Sequence, residues 1–113
     1  MNYKFVSIPS FTREVKRLSK RYRSLKSDLA KLQTELMMNP ALGTDLGGGF
    51  RKIRMTIAAK GRGKSGGARV ITFTVVTKVD ESTINLLYIY DKAERETIST
   101  SELQQLLKNN GLL

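Results

Sequence analysis

Two β-prone apolar runs, IRMTI and RVITFTVV, flank the glycine-rich cationic segment AAKGRGKSGGA within residues 50–76. That arrangement commits the chain to a long antiparallel hairpin, because β-branched side chains favour strands and glycine lets the backbone reverse between them. The hairpin carries Arg51, Lys52, Arg54, Lys60, Arg62, Lys64 and Arg69, and no acidic residue occurs between Asp45 and Asp80. The whole chain has a formal net charge of +10, so this one stretch supplies most of the excess. Cations beside free backbone N–H groups suit a phosphate chain. The hairpin is expected to hold nucleic acid.

The charge calls for a polyanionic partner: RNA, DNA, an acidic membrane surface or an acidic protein. At 113 residues the chain reads as a single domain, 1–113. It has no cysteine and no histidine. That excludes a disulfide, a zinc finger and a thiol nucleophile, and removes the commonest metal ligand and general base. Chemistry must then come from Lys, Arg, Tyr, Ser or carboxylates, with no cofactor and no metal expected. No apolar run approaches the roughly 18 residues of a membrane span, and the N-terminus lacks a signal-peptide core. The expectation is a cytoplasmic protein with no membrane partner.

Along the chain, YKFVSI reads as a short strand ended by Pro9. Ser10 is the expected N-cap of a helix in which Phe11, Val15, Leu18 and Tyr22 form the apolar stripe. Ser24 is expected to cap a second helix with the stripe Leu25, Leu29, Leu32 and Leu36. Asn39 followed by Pro40 ends it, since a residue before proline is pushed out of the helical region. ALGTDLGGG reads as a loop. After the hairpin, TINLLYIY is apolar on both faces and is placed centrally in the sheet. Ser99 and Glu102 form a capping box for a last helix anchored by Leu103, Leu106 and Leu107. The order β-α-α-β-β-β-α predicts an α+β domain: an antiparallel sheet with a helical hairpin packed on one face, and a C-terminal helix.

Strand alternation puts Lys52 and Arg54 on one face and Ile53, Met55 and Ile57 on the other, leaving the two cations on the open side. Arg69 is expected to join them across the hairpin, although it shares parity with Ile71 and Phe73. A bulge near the glycines or partial cover by the last helix would reconcile the two. Lys92 and Arg95 emerge at the end of the central strand, where site residues are common. Tyr88 and Tyr90 share a face and can either stack a base or sit in the core, the core being favoured for Tyr88.

The cationic cluster fits two readings, a solvated face that binds nucleic acid and a site that breaks it. In the second, the RNA 2′-hydroxyl attacks the adjacent phosphorus and leaves a 2′,3′-cyclic phosphate. Arginine can hold the developing charge, and a lysine crowded by like charges can transfer protons. The run from Gly61 to Ser65 has the flavour of a phosphate loop. Ala58, however, stands where such a loop needs its first glycine, and the segment lies between strands.

The strings PSFTREVKRLSKRYRSL, ELMMNPALGTDLGGGFRKIRM, AAKGRGKSGGARVITF and LLYIYDKAERETIS together resemble the RelE/ParE-like toxins of bacterial toxin–antitoxin pairs, nearest to the HigB-like branch. The resemblance implies a compact α+β toxin that cleaves messenger RNA in the ribosomal A site without metal. It also implies an antitoxin partner encoded alongside, often with a helix-turn-helix part. Carried over by motif, Lys52, Arg54, Arg69 and Lys92 are the catalytic candidates. Ala93 and Ser99 stand where the family has a further arginine and a tyrosine, so Tyr90, Lys60 or Lys64 would have to substitute. Arg51, Lys60, Arg62, Lys64 and Tyr90 are the RNA-binding candidates. The alternative on the same fold is a non-enzymatic, ParE-like inhibitor of DNA gyrase. An architectural DNA binder with a basic β-arm fits less well, because the tip lacks an apolar wedge.

Overall fold

The computed structural model describes residues 2–61 and 63–113. In chain order the elements are β1 (Asn2–Ser7), α1 (Pro9–Arg21), α2 (Leu25–Met38), β2 (Thr44–Gly47), β3 (Phe50–Met55), β4 (Ala68–Lys78), β5 (Glu81–Asp91) and α3 (Thr100–Asn109). Between β3 and β4 lie two single-turn 3₁₀ helices, Ala58–Lys60 and Lys64–Gly66. The sheet order is β1-β5-β4-β3-β2. No helix among the described residues is long and apolar enough to cross a membrane.

The α+β class stands, and the structure refines the sheet. β3, β4 and β5 pair antiparallel as expected, but β1 runs parallel to β5 at the edge, so the sheet is mixed. The intervening helices and strands supply the long crossover that a parallel pair requires. Part of the expected loop is the short edge strand β2, paired with β3 through Thr44 opposite Lys52 and Asp45 opposite Arg51. β4 is the middle strand, and β5 is interior between β4 and β1.

Both faces of the sheet are covered. Leu18, Leu25, Leu32 and Leu36 from the helical hairpin pack on Ile53, Met55, Val70 and Ile89. On the opposite face Leu103 and Leu107 of α3 pack with Phe50, Ile71, Leu87 and Tyr90. Each buried large aliphatic side chain contributes about 1.5–3 kcal/mol, so the leucine stripe of α2 is core. This second layer explains the parity of Arg69: Ile71 and Phe73 face α3, and the β3–β4 ladder runs without a shift. The bulge lies instead on β5, where Ile71 opposes Tyr88 but Thr72 opposes Leu86. The extra residue is Leu87.

That bulge also redefines Ser10. Pro9 opens α1 with Ile8 at the N-cap, because the preset φ of proline suits the first helical position. Ser10 is buried one position further in, and its hydroxyl donates to the Leu87 carbonyl at 2.6 Å. Ser24 likewise does not cap α2 with its side chain. Its hydroxyl accepts from the Ala59 N–H (2.8 Å) and donates to Asp28 Oδ2 (2.8 Å), while that carboxylate oxygen accepts from the Ala58 N–H (3.2 Å). The start of α2 therefore fastens the hairpin tip. The capping box of α3 forms as expected, with Ser99 and Glu102 each accepting the other's N–H.

Gly67 is where the tip rejoins the sheet. A Cβ there would lie 2.0 Å from the Met55 carbonyl oxygen, a clash with backbone that no rotamer relieves. Gly67→Ala is expected to destabilise the protein by at least about 1–3 kcal/mol through overpacking, read as a lowered urea midpoint at unchanged slope. A midpoint equal to that of the parent would contradict this close approach.

Candidate nucleic-acid interface

Alternation along β3 sends Phe50 toward α3 and Ile53 and Met55 toward the helical hairpin, so Lys52 and Arg54 share the side of Phe50. β2 pairs only with the first residues of β3, which leaves the far end of β3 as a sheet edge. There Lys52 and Arg54 line an open groove of about 340 Å³ together with Lys64 from the tip, Glu35 from α2, and Gly43 and Thr44. Arg54 and Lys64 are exposed and Lys52 is half-buried. Three cations from two elements thus line one groove with a carboxylate from a third.

Arg69 stands directly opposite Arg54 in the β3–β4 ladder and directly opposite Tyr90 in the β4–β5 ladder. It is not on an open surface as the sequence suggests. Only 5% of it is exposed, because the second 3₁₀ turn folds over it. Its guanidinium donates to the carbonyls of Lys64 (3.0 Å), Ala68 (3.2 Å) and Ser65 (3.3 Å). Burial pushes its pKa down and the like charge of Arg54 adds to this, against a smaller opposing effect of Tyr90. Arg69 is a buried cation held by backbone oxygens, and through them it fixes the turn that carries Lys64.

Lys60 is a second correction. Read as a solvent-facing tip lysine, it turns inward and pairs with Asp91 at 2.7 Å, with side chains 9% and 0% exposed. The Tyr22 hydroxyl donates to the other Asp91 oxygen at 2.5 Å, and the Ala93 N–H donates to the first at 3.0 Å. Burial alone would raise the Asp91 pKa; the hydrogen bonds from Lys60, Tyr22 and Ala93 outweigh it, and the carboxyl sits below its ordinary value. An unpaired buried carboxylate is costly, so this acid draws the nearest long cation out of solvent.

Tyr90 is 2% exposed, and Arg95 lies over its ring at 5.7 Å from the centroid. It cannot receive a base. Burial raises its pKa, partly offset by Arg69 and Arg95. Thr97 is near its hydroxyl but not placed for a hydrogen bond of ordinary geometry. The two tyrosines thus divide, with Tyr90 in the core and Tyr88 half-exposed. Arg51 is also committed: it donates to the carbonyls of Leu42 and Gly43 (both 3.3 Å) and lies 3.7 Å from Asp45, pinning the segment before β2. Lys92 is half-buried and donates to the Glu96 carbonyl at 2.9 Å. Arg62 lies outside the described residues.

Of the residues singled out from sequence, Lys52, Arg54 and Lys64 come together at the groove, with Arg69 immediately behind Arg54. Lys60, Tyr90 and Arg51 serve the interior and the loops. Glu35 and Asp28 do not stand out in the sequence, and Ser24 reads there only as a helix cap. Nothing in sequence separates Glu35 from other polar positions on α2.

A mixed five-stranded sheet with helices on both faces and a cationic groove at its edge defines a small α+β domain. The family described as "RelE toxin of RelE / RelB toxin-antitoxin system" matches residues 11–112. The chain belongs to the RelE toxin family: it is a toxin of a toxin–antitoxin pair, and its partner is an antitoxin.

Proposed function

We propose that this toxin, of the HigB-like branch, is a ribosome-dependent messenger-RNA endonuclease of the cytoplasm. It promotes attack of a 2′-hydroxyl on the adjacent phosphorus, without metal, and leaves a 2′,3′-cyclic phosphate. The observation that carries the reading is the convergence of Lys52, Arg54 and Lys64 on one open groove. Three cations there can grip the phosphates flanking a scissile linkage and offset the charge that builds on it in the transition state. Arg69 adds positive potential from behind Arg54 without leaving its carbonyl partners. Lys92 lies near the end of the same row of strands and serves the neighbouring part of the message. The antitoxin partner is of helix-turn-helix type.

Two measurements test the reading. Purified protein added to programmed ribosomes is expected to produce cut message whose 3′ ends carry the cyclic phosphate, identified by end-specific ligation and sequencing. Intact message together with DNA-damage signalling on expression would reject it in favour of a gyrase-directed toxin. Binding of single-stranded RNA should also be salt-dependent. Neutralising Lys64 is expected to reduce the log–log slope by about 0.7, the contribution of one phosphate contact. An unchanged slope would remove Lys64 from the interface.

A further inference from the structure

The groove poses a problem that cations alone do not solve, since something must take the proton of the attacking 2′-hydroxyl. The protein has no histidine. Tyr90 is buried beneath Arg95, Asp91 is saturated by Lys60, Tyr22 and Ala93, and the Lys60 ammonium is spent on Asp91. Among the described residues that line the groove, one carboxylate remains as a proton acceptor. Glu35 on α2 lines it with Lys52, Arg54 and Lys64, and also lines the adjoining cleft that shares Arg54 and Lys64. Glu35 is exposed and, among the described residues, its carboxylate is held in no ion pair or hydrogen bond. A carboxylate beside three cations yet bonded to none of them leaves room between the walls for a ligand.

We propose that Glu35 is the general base of the cleavage step, a role that rests on the nuclease reading above. The Glu35 carboxylate accepts the 2′-hydroxyl proton as the O2′–P bond forms. The P–O5′ bond breaks, and the departing 5′-oxygen takes a proton from the ammonium of Lys52 or Lys64. Solvent exchange then returns both groups to their starting states, so protons and electrons balance without any co-reactant. Base and acid come from different elements, α2 on one hand and β3 or the tip on the other. An in-line displacement needs this, because attacking and leaving oxygens lie on opposite sides of phosphorus. A positioned general base typically supplies about 10²–10⁴-fold.

The experiment uses the full chain on ribosomes programmed with a short message, in single turnover. The scissile linkage is either ordinary or carries sulfur in place of the bridging 5′-oxygen. Glu35→Gln is expected to lose at least about 10²-fold in rate on both messages, with ribosome affinity and melting temperature unchanged. Among Lys52→Ala and Lys64→Ala, the variant lacking the acid should regain most of its loss on the sulfur message, since a thiolate leaves without a proton. Cleavage by Glu35→Gln at the parental rate overturns the assignment. So does recovery of Glu35→Gln on the sulfur message, which would make it the acid. If the parent protein itself leaves both messages intact, the nuclease reading fails and this one with it. If the parent cuts and Glu35→Gln cuts equally, only the role of Glu35 falls.

Discussion

Lys52→Ala combined with Arg54→Ala is expected to abolish message cleavage, with each single change lowering the single-turnover rate by about 10²–10³-fold. The two side chains stand two residues apart on one strand and line one groove. They therefore act on the same developing charge, and the losses should combine less than multiplicatively. Neither makes an ion pair within the described residues, so their removal leaves no partner stranded and the fold should be unaffected. The check is the yield of cyclic-phosphate ends from programmed ribosomes, with circular dichroism and urea midpoint as controls. Arg69→Ala makes a useful contrast. It strips donors from the Lys64, Ala68 and Ser65 carbonyls, so its effect should include a measurable loss of stability that the groove variants lack. A double variant retaining a tenth of the parental rate would mean that the message breaks elsewhere.

The elements that sequence made legible are those in which local pattern and tertiary demand agree. The leucine stripe of α2 is read from its spacing because only one helical face can meet the sheet. Ser99 and Glu102 are read because a capping box is complete within four residues. Placement fails where the deciding contact is distant or two-sided. Alternation puts Lys52 and Arg54 on one side, but it shows neither that Arg69 stands opposite Arg54 nor that α3 and the second 3₁₀ turn cover part of that side. Tyr88 and Tyr90 have equal parity, and it is Tyr90, opposite Arg69 and beneath Arg95, that is sealed. Lys60 looks like any glycine-flanked tip lysine, and its partner lies 31 residues away. Glu35 becomes conspicuous only once β2 ends early and exposes the edge of β3. For the site, charge composition indicated the kind of ligand, while the division between gripping and structural cations required the fold.

The largest expected effect on stability is at Asp91. Asp91→Ala should lower the free energy of unfolding by about 3–5 kcal/mol, since removing one partner leaves the other charge buried and uncompensated; a small domain has only about 5–15 kcal/mol in all. Three tethers fail together: the Lys60 ammonium, the Tyr22 hydroxyl and the Ala93 N–H each lose their acceptor. Replacing both charges, as in Asp91→Leu with Lys60→Met, should recover much of the loss, because desolvation of the ion pair is then avoided. The same pair sets an acid dependence. The Asp91 carboxyl is below its ordinary value of 3.8 in the folded protein. Its contribution is therefore complete above that value and is lost as pH falls below it toward the folded-state pKa. Glu94, held down chiefly by the hydrogen bond from Arg17, acts in the same direction. Urea midpoints taken from neutral pH down to about pH 3 should thus fall more steeply for the parent than for the Asp91→Leu, Lys60→Met variant. Because Lys60 ends the first 3₁₀ turn and the Lys92 N–H binds the Gly67 carbonyl beside the second, loosening this corner also frees the turn that carries Lys64. Asp91→Ala should accordingly lose cleavage at temperatures where it is still folded. A cost below about 1 kcal/mol, typical of a solvent-exposed pair, would show that Lys60 spends its time in water and belongs with the gripping cations after all.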